Sequence, residues 1–195
     1  MKDITLSRRS LIAGSAVLAL SGAAQAQATG SVAGVNGSRI LVAWFSRSGN
    51  TTVIAGQIRR ATGANAFTIE PATPYPEDYE ETVAQSRRER DAGFEPELAT
   101  LVDEIASYET VYLGFPIWSG TVPHVIRSFL SRHDLAGKTV IPFITHGGYG
   151  VGSSEEVLAR HAPDARIAPA FVMEADQERR TMESVNGWLA ETAAR

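Results

Sequence analysis

The sequence contains no cysteine. That absence excludes disulfides, thiolate metal sites, iron–sulfur clusters, a cysteine nucleophile and the anchor cysteine of a bacterial lipoprotein. Histidine is scarce too. Four residues stand far apart at positions 124, 133, 146 and 161, so a histidine-rich metal cage is not expected. No run of roughly 20 apolar residues occurs, which argues against a spanning helix. Basic residues are outnumbered, 18 Lys and Arg against 22 Asp and Glu, for a net charge of −4. Sequence-independent nucleic-acid binding wants a basic face, so nucleic acid is not an expected partner. What is there is an ordinary globular mixture. The chain has 195 residues, 44% hydrophobic and 21% charged, enough for one domain with a tail.

The tail is N-terminal. Ser7-Arg8-Arg9-Ser10-Leu11-Ile12 places paired arginines before a short apolar stretch, Leu11 to Leu20. Ala24-Gln25-Ala26 and Ala26-Gln27-Ala28 then offer small-x-small cleavage sites. Charged, apolar, small is the order of an export signal. The arginine pair with modest hydrophobicity resembles a twin-arginine signal, although Leu11 stands where such signals favour Phe. The expectation is a cleaved signal at 1–28, a periplasmic mature protein, and no stable membrane anchor after cleavage. Removing Lys2, Asp3, Arg8 and Arg9 leaves 15 basic and 21 acidic residues, a net charge of −6. Residues 29–38 read as a flexible linker. The folded domain then spans 39–195.

Within that domain, strand patterns alternate with helix patterns. Ile40 to Phe45 is a continuous apolar run, as in a strand buried on both faces. Asn50 to Thr62 reads as a helix stopped by Gly63. Ala66 to Ile69 is a short strand, and Pro71, Pro74 and Pro76 enforce a loop. Tyr79 to Asp91 is a charged helix with a mostly solvated face. Thr110 to Phe115 is a third strand. Thr121 is placed to cap a helix whose Val122, Val125, Ile126, Phe129 and Leu130 form a buried stripe. Thr139 to Thr145 is a fourth strand, in which Pro142 suggests a bulge. Ser153 and Glu156 are spaced as a capping box. Arg166 to Val172 is a fifth, weak strand. A last helix, near Asp176 to Ala194, would bury Met182, Val185 and Leu189. Five strands alternating with helices imply an α/β domain with a parallel, doubly wound sheet.

In such sheets ligands bind beyond the carboxyl ends of the strands. That rule selects three loops. Ser46-Arg47-Ser48-Gly49-Asn50-Thr51-Thr52 joins a buried strand to a helix N-terminus, where hydroxyls and free backbone N–H groups suit a phosphate. No Gly-Lys-Ser/Thr follows, which disfavours a nucleoside triphosphate with magnesium. Pro116-Ile117-Trp118-Ser119-Gly120 exposes a Trp that either covers something flat or packs on a neighbouring helix. Thr145-His146-Gly147-Gly148-Tyr149-Gly150-Val151-Gly152 is glycine-rich enough for close backbone approach to a ligand.

Together these residues resemble the flavodoxin family, in particular its bacterial flavodoxin-like members. The matches are Trp44 to Thr51, Gly114-Phe115-Pro116-Ile117-Trp118, Thr145-His146-Gly147-Gly148 and Tyr75-Pro76-Glu77-Asp78-Tyr79, and the likeness covers about residues 39 to 190. The resemblance implies a three-layer sandwich around a five-stranded parallel sheet of order 2-1-3-4-5, holding FMN non-covalently. It implies the phosphate on Ser46, Ser48, Gly49, Asn50 and Thr51 with Arg47 in the same loop. The isoalloxazine would rest against Pro116, Ile117, Trp118, Ser119 and Gly120. Thr145, His146, Gly147, Gly148, Tyr149 and Gly150 would close the other side. Ser119 departs from this branch, which often carries a second Trp there. The implied role is electron transfer with a redox protein or a small electron donor or acceptor. An NAD(P)H-dependent FMN or quinone reductase remains the enzyme alternative, with His146 or Tyr149 as proton donor or gate. His146 bonding its own loop's backbone is the plainer reading of that residue. A flavin-free binding module on the same fold is the third possibility. No Gly-x-Ser-x-Gly elbow supports a hydrolase.

Overall fold

The computed structural model describes residues 38–175 and 178–193, with side chains at 178–184 outside that description. The expected export signal at 1–28, all but the last residue of the 29–38 linker, and the side chain of Met182 therefore lie outside the described residues.

Strands and helices alternate as β1 (Ile40–Trp44), α1 (Asn50–Thr62), β2 (Asn65–Thr68), α2 (Tyr79–Ala92), β3 (Thr110–Pro116), α3 (His124–Arg132), β4 (Thr139–His146), α4 (Ser154–His161), β5 (Arg166–Ile167), β6 (Phe171–Glu174) and α5 (Glu178–Ala193). A single 3-10 turn, Ile105–Ser107, precedes β3. The sheet is parallel, in the order β2-β1-β3-β4-β5. This is the 2-1-3-4-5 order of a flavodoxin-like sandwich. The expected fifth strand is broken in two, and both halves pair with β4: β5 at Thr139 and Val140, β6 from Phe143 to His146.

That break explains Pro142. No bulge forms, and Pro142 pairs in register with Leu113 of β3. In a parallel strand, successive residues point their N–H and C=O groups to opposite neighbours. Thr139 donates to Glu109, and Thr145 accepts from Ile117, both on the β3 side. Val140 and His146 instead accept from Ala168 and Ala175, on the β5 and β6 side. Pro142 shares the parity of 140 and 146. Its missing N–H therefore falls between Ile167 and Phe171, where no strand runs beside β4. The proline costs no ladder bond and matches the interruption of its neighbour.

Alternating side chains feed two cores. Leu41, Ala43, Leu113, Phe115, Val140 and Ile144 pack with α3 and α4, including the whole predicted stripe from Val122 to Leu130. Val42, Tyr112, Ile141 and Phe143 pack with Ile54 and Ile58 of α1 and with Val185 and Leu189 of α5. Gly63 ends α1 at φ 65°, as its position after the helix predicts.

Two predicted caps do not form. The α3 N-cap is Pro123. The Thr121 Oγ1 instead accepts from Arg127 Nη2 at 3.0 Å and from Ser153 Oγ at 2.9 Å. Ser153 does stand at the α4 N-cap, but it makes no side-chain cap bond because its hydroxyl is committed to Thr121. A polar tie between two elements has replaced two local caps.

Candidate functional site

The loops after β1, β3 and β4 converge on one cleft of about 710 Å³. It is lined by Arg47, Ser48, Asn50, Pro116, Ile117, Trp118, Ser119, Gly120, Thr145, His146, Gly147 and Tyr149 from the sequence-predicted set. Ser46, Gly49, Thr51, Gly148 and Gly150 do not line it. They shape the loops that do.

The first loop is built around an uncapped helix start. Gly49 is the α1 N-cap, at φ 91°, a conformation that favours glycine, and no side chain caps the helix. The first intrahelical bond runs from Val53 N–H to the Gly49 carbonyl, so the first-turn amides ahead of it have no helical acceptor. Ser46 Oγ accepts from Gly49 N–H at 3.1 Å, folding the loop on itself. Thr51 is buried, and its hydroxyl meets that of Thr145 at 2.9 Å, tying the loop to β4. Arg47 is exposed but held. Its Nη2 donates to the Glu77 carbonyl at 2.6 Å, and its guanidinium lies 5.7 Å from the centre of the Tyr79 ring.

The second loop is a tight reversal. Trp118 and Thr121 exchange backbone bonds, Trp118 N–H to Thr121 O at 3.1 Å and Thr121 N–H to Trp118 O at 3.0 Å. Ser119 and Gly120 between them both have positive φ, 50° and 75°, the signs of a type I′ turn. Gly fits the second position at no steric cost; Ser119 does not, and Ser86 of α2 holds it there by a hydroxyl contact of 3.1 Å. The Trp118 ring is half-buried and edge-on to Phe45 and Tyr75, with centroids at 5.1 and 4.8 Å. The ring packs on Phe45 and Tyr75, which lie just after β1 and in the loop before α2, and not on a neighbouring helix, and it also lines the cleft. Behind it, Tyr75 donates to the buried Glu89 carboxylate at 2.9 Å. Burial and that carboxylate push the Tyr75 hydroxyl far above its ordinary pKa, so it stays protonated as the donor.

In the third loop, His146 Nδ1 accepts from Gly148 N–H at 3.0 Å and from Gly150 N–H at 3.4 Å. The plainer reading of His146 is therefore the observed one. An Nδ1 that accepts puts the proton of the neutral ring on Nε2. Tyr149 is 94% exposed at the rim.

The sequence reading missed one wall. Tyr79, Thr82, Val83, Ser86, Arg87 and Arg90 of α2, together with Ala175, complete the cleft. The six α2 positions fall on a single helical face, a signal present in the sequence and hidden by the helix's overall polarity. Among the described residues no group of His, Cys, Asp and Glu is placed to hold a metal ion.

Comparison with known proteins agrees with this fold. A family model described as Flavodoxin matches residues 39–192. A structure described as a flavoprotein from Bacteroides eggerthii is 32% identical with a TM-score of 0.68, covering 80% of this chain and 98% of its own. A similarly described protein from Bacteroides uniformis is 29% identical with the same TM-score, covering 77% and 99%. A flavoprotein from Lactobacillus acidophilus, solved in complex with FMN, shares the fold at 18% identity and a TM-score of 0.61, covering 74% and 97%. No curated protein matches.

Proposed function

The chain belongs to the flavodoxin family, and from that premise we propose that it binds FMN non-covalently in the three-loop cleft and transfers electrons through it. The observation that carries this reading is the convergence of an uncapped α1 N-terminus, a half-buried Trp and a glycine-rich loop on one cleft at the carboxyl ends of β1, β3 and β4. The fold it shares with the FMN-complexed Lactobacillus acidophilus protein supports it.

The residues fit the cofactor. The free first-turn amides of α1, with Ser48 and Asn50 lining the cleft beside them, supply neutral donors at the positive end of a helix dipole, which suits a phosphate dianion. Trp118, fixed edge-on by Phe45 and Tyr75, offers a preset flat surface for an aromatic ring. His146 presents Nε2–H as its remaining donor, since Nδ1 is held by its own loop. The 119–120 turn keeps its shape through the Trp118–Thr121 bonds and the Ser86 contact. Bound FMN supplies one- and two-electron redox chemistry, which the side chains around it tune.

The test is the absorbance spectrum of the purified protein after incubation with FMN and gel filtration. A yellow protein that photoreduces and reoxidises without consuming NAD(P)H is the result expected. A protein that stays colourless overturns the flavin reading, and rapid NAD(P)H oxidation replaces the carrier with the reductase. Export through residues 1–28 by the twin-arginine route, with a periplasmic mature protein, belongs to the same proposal. A cofactor acquired in the cytoplasm must cross the membrane inside a folded protein.

A further inference from the structure

The wall that sequence reading missed has a charge the rest of the protein does not. Arg47, Arg87 and Arg90 line the cleft, and among the described residues no Asp or Glu lines it, in a chain whose net charge is −4. Along α2 the acidic side chains lie off the cleft, as Arg88 does. Glu80, Glu81 and Asp91 lie outside the cleft lining, and Glu89 is buried instead against Tyr75 and Gln85. Arg47 is occupied by the Glu77 carbonyl and the Tyr79 ring, and Arg90 by Asp91 at 3.0 Å. Arg87 is exposed to the cleft and has no ion pair or hydrogen bond among the described residues.

The position of Arg87 separates it from the phosphate loop. Tyr79 marks the α1 end of α2, because Arg47 lies over its ring. Eight residues further on, a helix has advanced about 12 Å. There Ser86 touches Ser119, so Arg87 and Arg90 stand beside the 119–120 turn, at the end of the cleft away from Ser48 and Asn50. A cationic wall in a concave site concentrates anions and disfavours cations. Ser86, on the same face, adds a hydroxyl, whereas that of Thr82 is directed at the Pro76 and Asp78 carbonyls.

We propose that Arg87 and Arg90, with the hydroxyl of Ser86, form a second anion subsite in the cleft, which holds the carboxylate or phosphate group of a small redox substrate beside the flavin. The proposal rests on the reading that FMN fills the phosphate-loop end. It implies that the exchange partner is an anionic small molecule rather than a neutral one.

The experiment loads the protein with FMN, so that the loop at Ser48 is already occupied, and titrates it by calorimetry with inorganic pyrophosphate and, separately, with citrate. Both arms compare the wild type with R87Q/R90Q and with R59Q/R60Q, an arginine pair on α1 outside the cleft. Saturable binding of either anion, weakened about tenfold or more in R87Q/R90Q and unchanged in R59Q/R60Q, is the result expected from the loss of charge-assisted bonds. Tighter pyrophosphate assigns the subsite to a phosphate, and tighter citrate to a carboxylate. Binding that is absent in the wild type, or equal in the wild type and R87Q/R90Q, overturns the subsite. Failure of the flavin reading looks different. The protein then takes up no FMN, while the same titrations on flavin-free protein still report whether the arginines bind an anion.

Discussion

Gly152 packs directly against the backbone of Gly120: a β-carbon built at 152 would overlap the Gly120 carbonyl. The same carbonyl accepts from Ser153 N–H at 3.2 Å. The turn after β3 is thus seated on the start of α4, and the two glycines carry different burdens. At Gly120, φ is 75° and a β-carbon would meet nothing within 4 Å. Gly120→Ala therefore pays only for its backbone conformation, about 1 kcal/mol. At Gly152 a methyl group must displace the turn itself. Gly152→Ala is expected to weaken FMN binding more than Gly120→Ala does, in parallel fluorescence titrations with matched thermal melts. Equal affinities for the two variants would show that the 119–120 turn does not support the flavin.

A second glycine is fixed by packing alone. A β-carbon at Gly114 would fall inside the ring of Phe143, which is fully buried on the neighbouring strand. Overpacking of this kind costs about 1–3 kcal/mol. Gly114→Ala should lower the melting temperature by several degrees. The double variant Gly114→Ala with Phe143→Leu should recover part of that loss, because the smaller side chain vacates the space. No recovery would mean that the strand backbone, not the ring, is what resists.

The parallel sheet was legible because it is written in continuous apolar runs, and Ile40 to Phe45 and Thr110 to Phe115 needed no tertiary context. The three site loops were legible because topology, not side-chain chemistry, selects the carboxyl ends of strands. Two features were not legible. Pro142 looked like a fault in β4 until β5 and β6 were seen to leave a gap beside it. Thr121 and Ser153 looked like caps because capping is a local rule, yet their hydroxyls meet across 32 residues of chain. The α2 wall stands in the sequence as one helical face masked by the helix's overall polarity, and it becomes a cleft lining once the 119–120 turn is folded against it.

His124 should make stability depend on pH. It is 2% exposed, and neither ring nitrogen has a hydrogen-bond partner. Burial, helped by Arg127 and opposed by the Phe94 backbone and by Glu95, lowers its pKa from 6.5 to about 4. The unfolded chain therefore takes up a proton at this residue before the folded one does. Stability contributed here is intact above pH 6.5 and declines as pH falls toward about 4. His133, also lowered by burial, adds in the same direction. His124→Leu should flatten this decline in denaturant midpoints measured from pH 7.5 to 4.5, because leucine takes up no proton. An unchanged slope would remove His124 from the account.

The export proposal makes its own prediction. Arg8→Lys with Arg9→Lys keeps the charge of the N-terminal segment and removes the paired arginines. The precursor should then accumulate in the cytoplasm, seen by fractionation and immunoblot. Normal periplasmic yield from the double variant would reject the twin-arginine route and leave an ordinary secretion signal.

The phosphate end of the cleft gives the most direct test of where the cofactor sits. Ser48 is exposed in the cleft beside the uncapped α1 start, whereas Ser46 is already bonded to Gly49 N–H. The two serines should therefore respond differently to truncation. Ser48→Ala removes one hydrogen bond to a charged group, worth about 1.5–3 kcal/mol, or roughly tenfold to a hundredfold in FMN affinity. Its thermal stability without FMN should hardly change, since among the described residues the hydroxyl has no partner to lose. Ser46→Ala should lower stability without FMN, because it releases the bond that closes the loop. Riboflavin, which has the ring but not the phosphate, should bind the wild type far more weakly than FMN and should be indifferent to Ser48→Ala. If riboflavin and FMN bind the wild type equally, the phosphate lies away from the α1 start and this end of the site is misplaced. If Ser48→Ala weakens riboflavin as much as FMN, the serine contacts the ring system instead.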